Sequence, residues 1–371
     1  MRNNTIQTLL RELWTPDGTT RRALESSLGL SRPTLDKALS ELMNRGLVAP
    51  VGTRSEGGGR PATVFRLNGD TCVVVGLDLE LPQLCFVVSD LWGEPLHRLT
   101  LDVDDGQRDP LALLREVGET LTEWMDSLGV PWPRVGGLGV ALPAFVTDGV
   151  ATFAGATMPS WHRVAVQNAL EREISTRVHV HHDTHLMAIA EAHALGWKEG
   201  ALLYIALRPG LSGDVRFGAS LLVDGRAYRG GHGHGGSLYR AFVTGEELKN
   251  RAHDKCFEML VDRAIGVLVH AVTLLDPTLI VIHAELLGED EEAFIASCRR
   301  RLREALVGEF PDLHKVTRAV ARGTTAACGA AVAVVQHLRD NPEELLVHEG
   351  GERGRSTSQA LRSTASKRKR R

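Results

Sequence analysis

Four side chains that could bind a polyanion stand at the start of one predicted helix. Ser31 and Thr34 carry hydroxyls that can hydrogen-bond phosphate oxygens or base edges, and Arg32 and Lys37 supply positive charge. Pro33 falls within the first turn, where its missing N–H costs nothing. Together these residues predict a helix whose N-terminal turn contacts nucleic acid.

A second basic group lies in a polar, glycine-rich stretch, residues 53–61, between two predicted strands. It contains Arg54 and Arg60, the latter between glycines and a proline. An unobstructed arginine suits a minor groove, where the negative potential is deepest over A·T tracts. Residues 1–70 hold ten Arg or Lys against seven Asp or Glu, whereas the whole chain has formal charge -3. The excess of positive charge therefore lies in the part of the chain where DNA contact is predicted.

The elements around these residues fit a winged helix-turn-helix domain over residues 1–68. Apolar residues at helical spacing predict one helix before Leu13 and a second after Thr20. Gly29 then breaks the chain, Ser31 is a plausible N-cap for the third helix, and Gly46 ends it. Two strands follow, which complete the wing. The alternative is a three-helix protein-interaction domain whose arginines are ordinary solvated charges.

From residue 72 to residue 340, strands and helices alternate, which is typical of an α/β fold. Residues 341–371 are polar and aperiodic and are predicted to form a basic disordered tail. Residues 350–371 hold eight Arg or Lys and one acid. They could add affinity for DNA phosphates, or they could simply keep the chain soluble.

Composition excludes several classes of protein. The five cysteines are scattered without CxxC spacing, so neither a disulfide framework nor a zinc knuckle is expected. The N-terminus has no apolar signal segment, and no uncharged apolar run is long enough to cross a bilayer. The expected compartment is the cytoplasm, with no membrane partner.

Several segments after residue 72 form a set with a characteristic order and spacing: VGLD at 75–78, GLGVALP at 137–143, MPSW at 158–161, VHHD at 180–183 with Glu191 eight residues later, and VDG at 223–225. These segments resemble the ROK family, which groups repressors with sugar kinases. With the winged domain first, the order of domains is that of the xylose-repressor-like branch, and the resemblance covers about residues 5–340. It implies a two-lobed, actin-like ATPase fold with a cleft between the lobes.

The kinase motifs of that family are largely missing here. The first phosphate turn, Asp-x-Gly-x-Thr, is replaced by DLELP at 78–82, where Glu80 would repel a triphosphate. The second glycine turn is replaced by a longer segment, 208–218, and a late Gly-Gly-Gly by HAE at 283–285. The sugar-binding asparagine aligns with Thr157, and the sugar- and zinc-binding Glu and His fall in 237–240, which begins with Ser237. The cysteine cluster of the zinc site is absent.

This pattern predicts a sequence-specific DNA-binding repressor with a catalytically inactive sugar-kinase-like domain that senses an effector and dimerises. We expect no catalytic residue, metal or cofactor. The expected partners are an operator in double-stranded DNA, a sugar or sugar derivative, and further copies of the chain in a homodimer or homotetramer. The predicted DNA contacts are Ser31, Arg32, Thr34, Lys37, Arg54 and Arg60, and the candidate effector contacts are Thr157, Asp183, Glu191 and Ser237.

The sequence leaves alternatives open. The chain could be a carbohydrate kinase with an appended regulatory domain, or a ligand-independent DNA-binding scaffold. Asp183 could contact a ligand hydroxyl or cap the helix that follows it. A histidine cluster near the predicted cleft could bind metal, or it could be the remnant of an active site; its members are His179, His181, His182, His185, His232 and His234.

Overall fold

The predicted fold class is confirmed: a winged-helix unit precedes two α/β lobes. The computed structural model describes residues 2–55, 61–103, 109–154, 158–210, 213–236, 238, 242–249, 251–308, 314–323 and 325–346.

The winged-helix unit packs its helices on an antiparallel sheet of strand order β1–β3–β2. Apolar residues at helical spacing bury one face of each helix, which is why Leu9, Leu24 and Leu39 are shielded from solvent. In chain order the elements are α1 (Arg2–Leu13), β1 (Thr19–Thr20), α2 (Arg21–Leu28), α3 (Arg32–Asn44), β2 (Val48–Arg54) and β3 (Ala62–Leu67).

The first lobe is built on a mixed sheet of strand order β10–β7–β4–β5–β6. Strands β10, β7 and β4 run parallel, and β5 and β6 extend the sheet as antiparallel hairpins. Strand β7 is apolar throughout, and β4 is apolar from Val73 to Leu77, because helices cover both faces of the sheet. The elements are β4 (Val73–Glu80), β5 (Gln83–Ser89), β6 (Pro95–Asp102), α4 (Pro110–Ser127), β7 (Val135–Leu142), β8 (Phe145–Thr147), β9 (Val150–Phe153), α5 (Val166–Glu173) and β10 (Val178–His182).

The second lobe repeats that strand order as β16–β15–β11–β12–β13. Strand β12 had no counterpart in the sequence prediction, which described 208–218 only as a longer segment in place of the second glycine turn. It instead pairs with β11 along its whole length. The elements are α6 (Asp183–Leu195), β11 (Ala201–Pro209), β12 (Val215–Val223), β13 (Arg226–Ala227), β14 (Phe242–Val243), α7 (Gly245–Leu248), α8 (His253–Leu275), β15 (Leu279–His283), α9 (Glu291–Ala305), β16 (Lys315–Arg318) and α10 (Thr325–Asp340).

Helices α6 and α10 lie between the two sheets and pack on each other. Three glycines allow the backbone of α10 to lie close to β4, β7 and α6. A Cβ on Gly76 would lie 1.9 Å from the carbonyl oxygen of Ala327, and one on Gly139 would lie 2.1 Å from that of Ala330. On the other face of α10, a Cβ on Gly329 would lie 1.8 Å from the carbonyl oxygen of Leu186. Helix α10 is therefore fixed between the lobes by backbone contacts.

The far end of α10 enters the core of the winged-helix unit. Val335 and Leu338 belong to the same buried cluster as Leu10 and Leu42. The chain then forms a 3-10 turn, Pro342–Leu346, whose Leu345 side chain is fully buried there. The sequence prediction, which began the disordered tail at residue 341, missed this turn because a buried leucine in a short polar segment gives no periodic signal.

Candidate functional site

The turn between α2 and α3 has the geometry of a helix-turn-helix. The hydroxyl of Thr20 accepts a hydrogen bond from the Ala23 N–H (3.3 Å) and starts α2. Gly29 ends α2 in the left-handed conformation (φ 61), which a residue with a Cβ adopts at a cost. Ser31 then occupies the N-cap position of α3 with extended backbone. This turn leaves the first turn of α3 exposed, as the sequence predicted.

The predicted contact residues on α3 share one exposed surface. Arg32 keeps 77% of its side chain exposed, and Thr34 and Lys37 are exposed as well. The hydroxyls of Ser31 and Thr34 lie 2.9 Å apart and bond each other, so neither caps the helix. Both hydroxyls can therefore exchange this mutual bond for one to a phosphate or a base edge.

One acidic residue lies within this basic surface, and α2 helps to neutralise it. Asp36 pairs with Arg21 at 2.8 Å, while Arg32 is at 3.9 Å from its other oxygen. The Arg21 guanidinium also lies 4.7 Å from the ring centre of Phe65. Because Arg21 pairs with Asp36 at the shorter distance, Arg32 is only weakly held by Asp36 and its side chain stays exposed.

The wing residues have different surroundings. The guanidinium of Arg54 donates hydrogen bonds to the carbonyl oxygens of Asp17 (2.9 Å) and Gly18 (3.5 Å), so it braces the start of the wing against β1. Sequence reasoning missed these contacts because they join residues 37 and 36 positions apart. Arg60 lies outside the described residues. DNA contact by either arginine stays a prediction.

In the cleft, the segments that replace the two phosphate turns are hairpins that bind each other. Glu80 ends β4, at the edge of the sheet where parallel strands present their carboxyl ends. Arg208 and Arg216 face each other across the β11–β12 hairpin. Glu80 pairs with both: with Arg208 at short range and with Arg216 at 3.2 Å. An ion-paired bridge thus crosses between the lobes.

Two further carboxylates lie around Arg208. Asp183 Oδ2 is 3.7 Å from the guanidinium, and its Oδ1 accepts hydrogen bonds from the N–H (2.6 Å) and hydroxyl (3.1 Å) of Thr184. Helix α6 begins at Asp183, and the residue at its N-cap position is His182. Asp78 Oδ1 is inaccessible to water and has no hydrogen-bond partner among the described residues. Burial raises the pKa of Asp78 to about 6, although Arg208 opposes that shift.

Glu191 has a structural role that the sequence did not suggest. Its carboxylate is fully buried and accepts hydrogen bonds from the N–H groups of Val320 (2.9 and 3.0 Å) and Ala321 (2.8 Å). Burial raises its pKa, and these N–H bonds oppose the rise. Because both oxygens are engaged by backbone, Glu191 fixes the loop after β16 and has little left for a ligand. The other two candidates, Thr157 and Ser237, lie outside the described residues.

The histidines near the cleft are held by protein contacts. His185 Nδ1 lies 2.9 Å from the hydroxyl of Ser220, and burial lowers its pKa to about 3. Burial likewise lowers the pKa of His181 to about 3. The ring of His179 lies against that of His337, with ring centres 4.3 Å apart and planes tilted by 45°. Within the described ranges, no group of three or more His, Cys, Asp or Glu side chains is arranged to hold a metal ion.

The raised pKa of Asp78 predicts that folding stability depends on pH. A carboxyl whose folded pKa lies above its unfolded value of 3.8 favours the folded state at low pH, and this contribution is lost as pH rises through about 6. Replacing Asp78 with asparagine removes the charge. We expect the free energy of unfolding of Asp78→Asn to exceed that of the parent by up to about 3 kcal/mol near pH 7 and to equal it near pH 4. Urea unfolding at both pH values measures this; a variant that is less stable than the parent near pH 7 would contradict it.

Sequence comparison places the chain near repressors. No protein-family model matches it. It is 22% identical over 219 residues to the xylose repressor of Caldicellulosiruptor bescii, covering 59% of this chain and 53% of the relative. It is 19% identical over 235 residues to the xylose repressor of Bacillus subtilis, covering 62% and 58%. The chain spans about half the length of the relatives it matches.

Structural comparison shows the same fold. A ROK family transcriptional regulator, described as a homologue of the E. coli MLC protein, superposes with TM-score 0.70 at 17% identity over 94% of this chain and 99% of that one. The chain resembles the ROK-family repressors in both sequence and fold. A ROK hexokinase from Thermus thermophilus superposes with TM-score 0.58 at 18% identity, over 72% of this chain and 99% of its own. The similarity to the hexokinase therefore extends over less of this chain than the similarity to the ROK regulator, which extends over nearly all of it.

Within this ROK-like fold, the described helices are all too short or too polar to span a bilayer.

Proposed function

We propose that this chain is a sequence-specific DNA-binding transcription regulator, a repressor, whose ROK-like lobes sense an effector and mediate self-association. The observation that carries the proposal is the helix-turn-helix with the exposed surface of Ser31, Arg32, Thr34 and Lys37 on α3. Similarity to xylose repressors supports it. A regulator of this kind works where the chromosome is, so we place it in the cytoplasm. Two winged units of a homodimer or homotetramer would read the half-sites of a pseudo-palindrome.

The experiment is a DNA-binding measurement on α3 variants. Arg32→Ala and Lys37→Ala should each weaken binding to fragments selected from genomic DNA by about 5- to 150-fold, because each removes a charge-assisted contact. Arg300→Ala is the matched control, since Arg300 is 62% exposed on α9 in the second lobe. Fluorescence anisotropy gives the affinities, and urea unfolding checks that the variants are folded. If both α3 variants bind like the parent, α3 is not the recognition helix.

We infer that the lobes do not transfer phosphoryl groups. In kinases of this fold class, glycine turns hold the phosphates through backbone N–H groups. Here the corresponding hairpins are joined by Glu80, Arg208 and Arg216, and Glu80 places a negative charge where a triphosphate would lie. The ROK resemblance aligns Asp183 with the catalytic base of the kinases, but here one of its oxygens accepts a hydrogen bond from Thr184 and the other lies 3.7 Å from the Arg208 guanidinium.

The second candidate, a carbohydrate kinase with an appended regulatory domain, has the fold likeness to ROK kinases in its favour. A coupled ATPase assay over a panel of sugars separates the two. We expect no turnover above background; sugar-dependent turnover that is lost in Asp183→Asn would establish the kinase.

The effector we propose is a small molecule, a sugar or sugar derivative, that enters the cleft near Asp183. Such a ligand must displace Arg208 from that carboxylate, which would weaken the bridge between the lobes. DNA binding measured with and without a panel of sugars and sugar phosphates tests this. Release by one compound identifies the ligand class, and binding that no compound alters favours a ligand-independent DNA-binding scaffold.

A further inference from the structure

We propose that Asp36 of α3 reads a base of the operator, selecting cytosine, and that Arg21 of α2 positions its carboxylate for that contact. This inference rests on the proposed function, because it names the base that part of the same surface recognises. The observation behind it is a carboxylate, oriented by an ion pair, among the cations and hydroxyls on the exposed side of the recognition helix.

Asp36 lies within the part of α3 that holds the predicted DNA contacts. Arg32 is one helical turn before it, and Lys37 follows it directly. Leu35 and Leu39, by contrast, are buried in the core. The side chain of Asp36 is 44% exposed, although its Oδ1 atom is inaccessible to water. The exposed oxygen of the carboxylate is therefore Oδ2.

The shielded oxygen is held by an arginine that is itself fixed. Arg21, the first residue of α2, places its Nε atom 2.8 Å from Oδ1 of Asp36. Its guanidinium also lies over the ring of the buried Phe65, 4.7 Å from the ring centre. Arg32 is farther away, at 3.9 Å from Oδ2. Arg21 thus orients the carboxylate from one side and leaves Oδ2 for a further hydrogen bond.

The chemistry of the major groove matches this oxygen to cytosine. A carboxylate repels the phosphates of the backbone, so its favourable contact with a duplex is a hydrogen bond donated by a base edge. In the major groove those donors are the amino groups of cytosine and adenine. The adenine amino group stands beside the N7 acceptor, which repels a carboxylate, whereas Asp and Glu accept from cytosine N4. Cytosine is therefore the base that fits Asp36.

Arg32 complements Asp36 in reading G·C pairs. An arginine donates two hydrogen bonds to O6 and N7 of guanine, and its 3.9 Å contact with Asp36 is long enough to exchange for them. Residues four apart on a helix have Cβ atoms about 5–6 Å apart, so both side chains reach the same base pair or neighbouring ones. Together they present the donor and the acceptor that guanine and cytosine require.

The experiment measures the base preference of the full chain and of two Asp36 variants. Duplexes with a randomised segment are selected for binding and sequenced, and affinities are then compared by fluorescence anisotropy at one salt concentration. For the parent we expect a G·C pair at one position of the half-site, favoured by about 5- to 150-fold. Asp36→Asn should change that pair to A·T, with adenine on the strand that carried cytosine, because an asparagine amide pairs with N6 and N7 of adenine. Asp36→Ala should leave the position without preference.

Further variants separate charge from position. Glu41→Gln is the matched control, because it removes one negative charge from the same helix, and it should leave the cytosine preference unchanged. Arg21→Ala should reduce that preference by about 2- to 5-fold, because the carboxylate is no longer held, and Arg21→Lys should restore part of it. A loss of affinity in Arg21→Ala that is equal for all four bases would mean that Arg21 does not position Asp36.

The outcomes distinguish this inference from the proposed function. If the parent binds no duplex, or binds all sequences alike, the proposed function fails. If the parent prefers certain sequences and Asp36→Asn selects the same ones with the same affinity, the regulator stands and Asp36 reads no base. If the position that changes in Asp36→Asn held a pair other than G·C in the parent, the assignment to cytosine is overturned.

Discussion

Replacing Arg208 with alanine is expected to lower the free energy of unfolding by about 3–5 kcal/mol near pH 7. Arg208 is only 15% exposed and is the counter-ion shared by Glu80 and Asp183, with Asp78 also in its field. Removing one member of a buried ionic group leaves the remaining charges without compensation, and that cost exceeds what the pair itself contributes. The substitution also removes the contact between the guanidinium and the sulfur of Met187 (2.9 Å).

Arg216 provides the matched control for Arg208. Its side chain is 32% exposed, so water can replace much of what the protein gives it, and Arg216→Ala should cost about 1 kcal/mol. Arg208→Ala should cost less in an Asp78→Asn background than in the parent, because one of the uncompensated carboxylates is already gone. Urea unfolding of the parent, Asp78→Asn, the two single arginine variants and the double variant gives the values. Equal small losses for both single arginine variants would show that Arg208 is not the central counter-ion.

The winged-helix unit could be predicted from sequence because local residues determine each of its boundaries. Thr20 and Ser31 begin helices, and Gly29 supplies the left-handed residue that ends α2. Periodic leucines define the buried faces. None of these signals depends on a distant partner, so the exposed turn of α3 and its charges followed from the sequence directly.

The cleft could not be predicted in the same way, because its side chains find partners far along the chain. Glu80 was predicted only to repel phosphate, yet its partners lie 128 and 136 residues away. Glu191 was assigned to a ligand, yet it binds backbone 129 residues away. The sequence did contain one signal for this bridge. Arg208 and Arg216 could pair with Glu80, the acidic residue that stands in place of a glycine turn. Only the fold shows that the two hairpins meet.

The cleft and the winged-helix unit are joined by α10, which makes that helix the element to test. Its first turns lie against β4 and β7 of the first lobe, and its last turn enters the winged-helix core. A rigid helix held at both ends can transmit a change in lobe position to α3, whereas a flexible linker cannot. Adding a single methyl group at one of the glycine contacts along α10 is therefore expected to change the free energy of unfolding strongly.

A single methyl group at Gly329 is expected to destabilise the chain by about 3 kcal/mol. Its Cβ would lie 1.8 Å from the carbonyl oxygen of Leu186 and 2.4 Å from the carbonyl carbon. Both atoms are backbone of α6, so α6 and α10 must separate to make room, and the buried contacts between them weaken. The measurement is urea unfolding of Gly329→Ala against the parent.

The same substitution at Gly266 should have the opposite sign. Gly266 lies exposed in the middle of α8, and a Cβ there would meet no atom within 4 Å. Gly266→Ala should therefore stabilise the chain by about 0.5–1 kcal/mol, through helix propensity alone. Because α10 ends in the winged-helix core, Gly329→Ala should also speed amide hydrogen exchange in α1, and Gly266→Ala should not. Exchange in α1 that stays at the parent rate despite a destabilised Gly329→Ala would mean that α10 does not couple the lobes to the winged-helix unit.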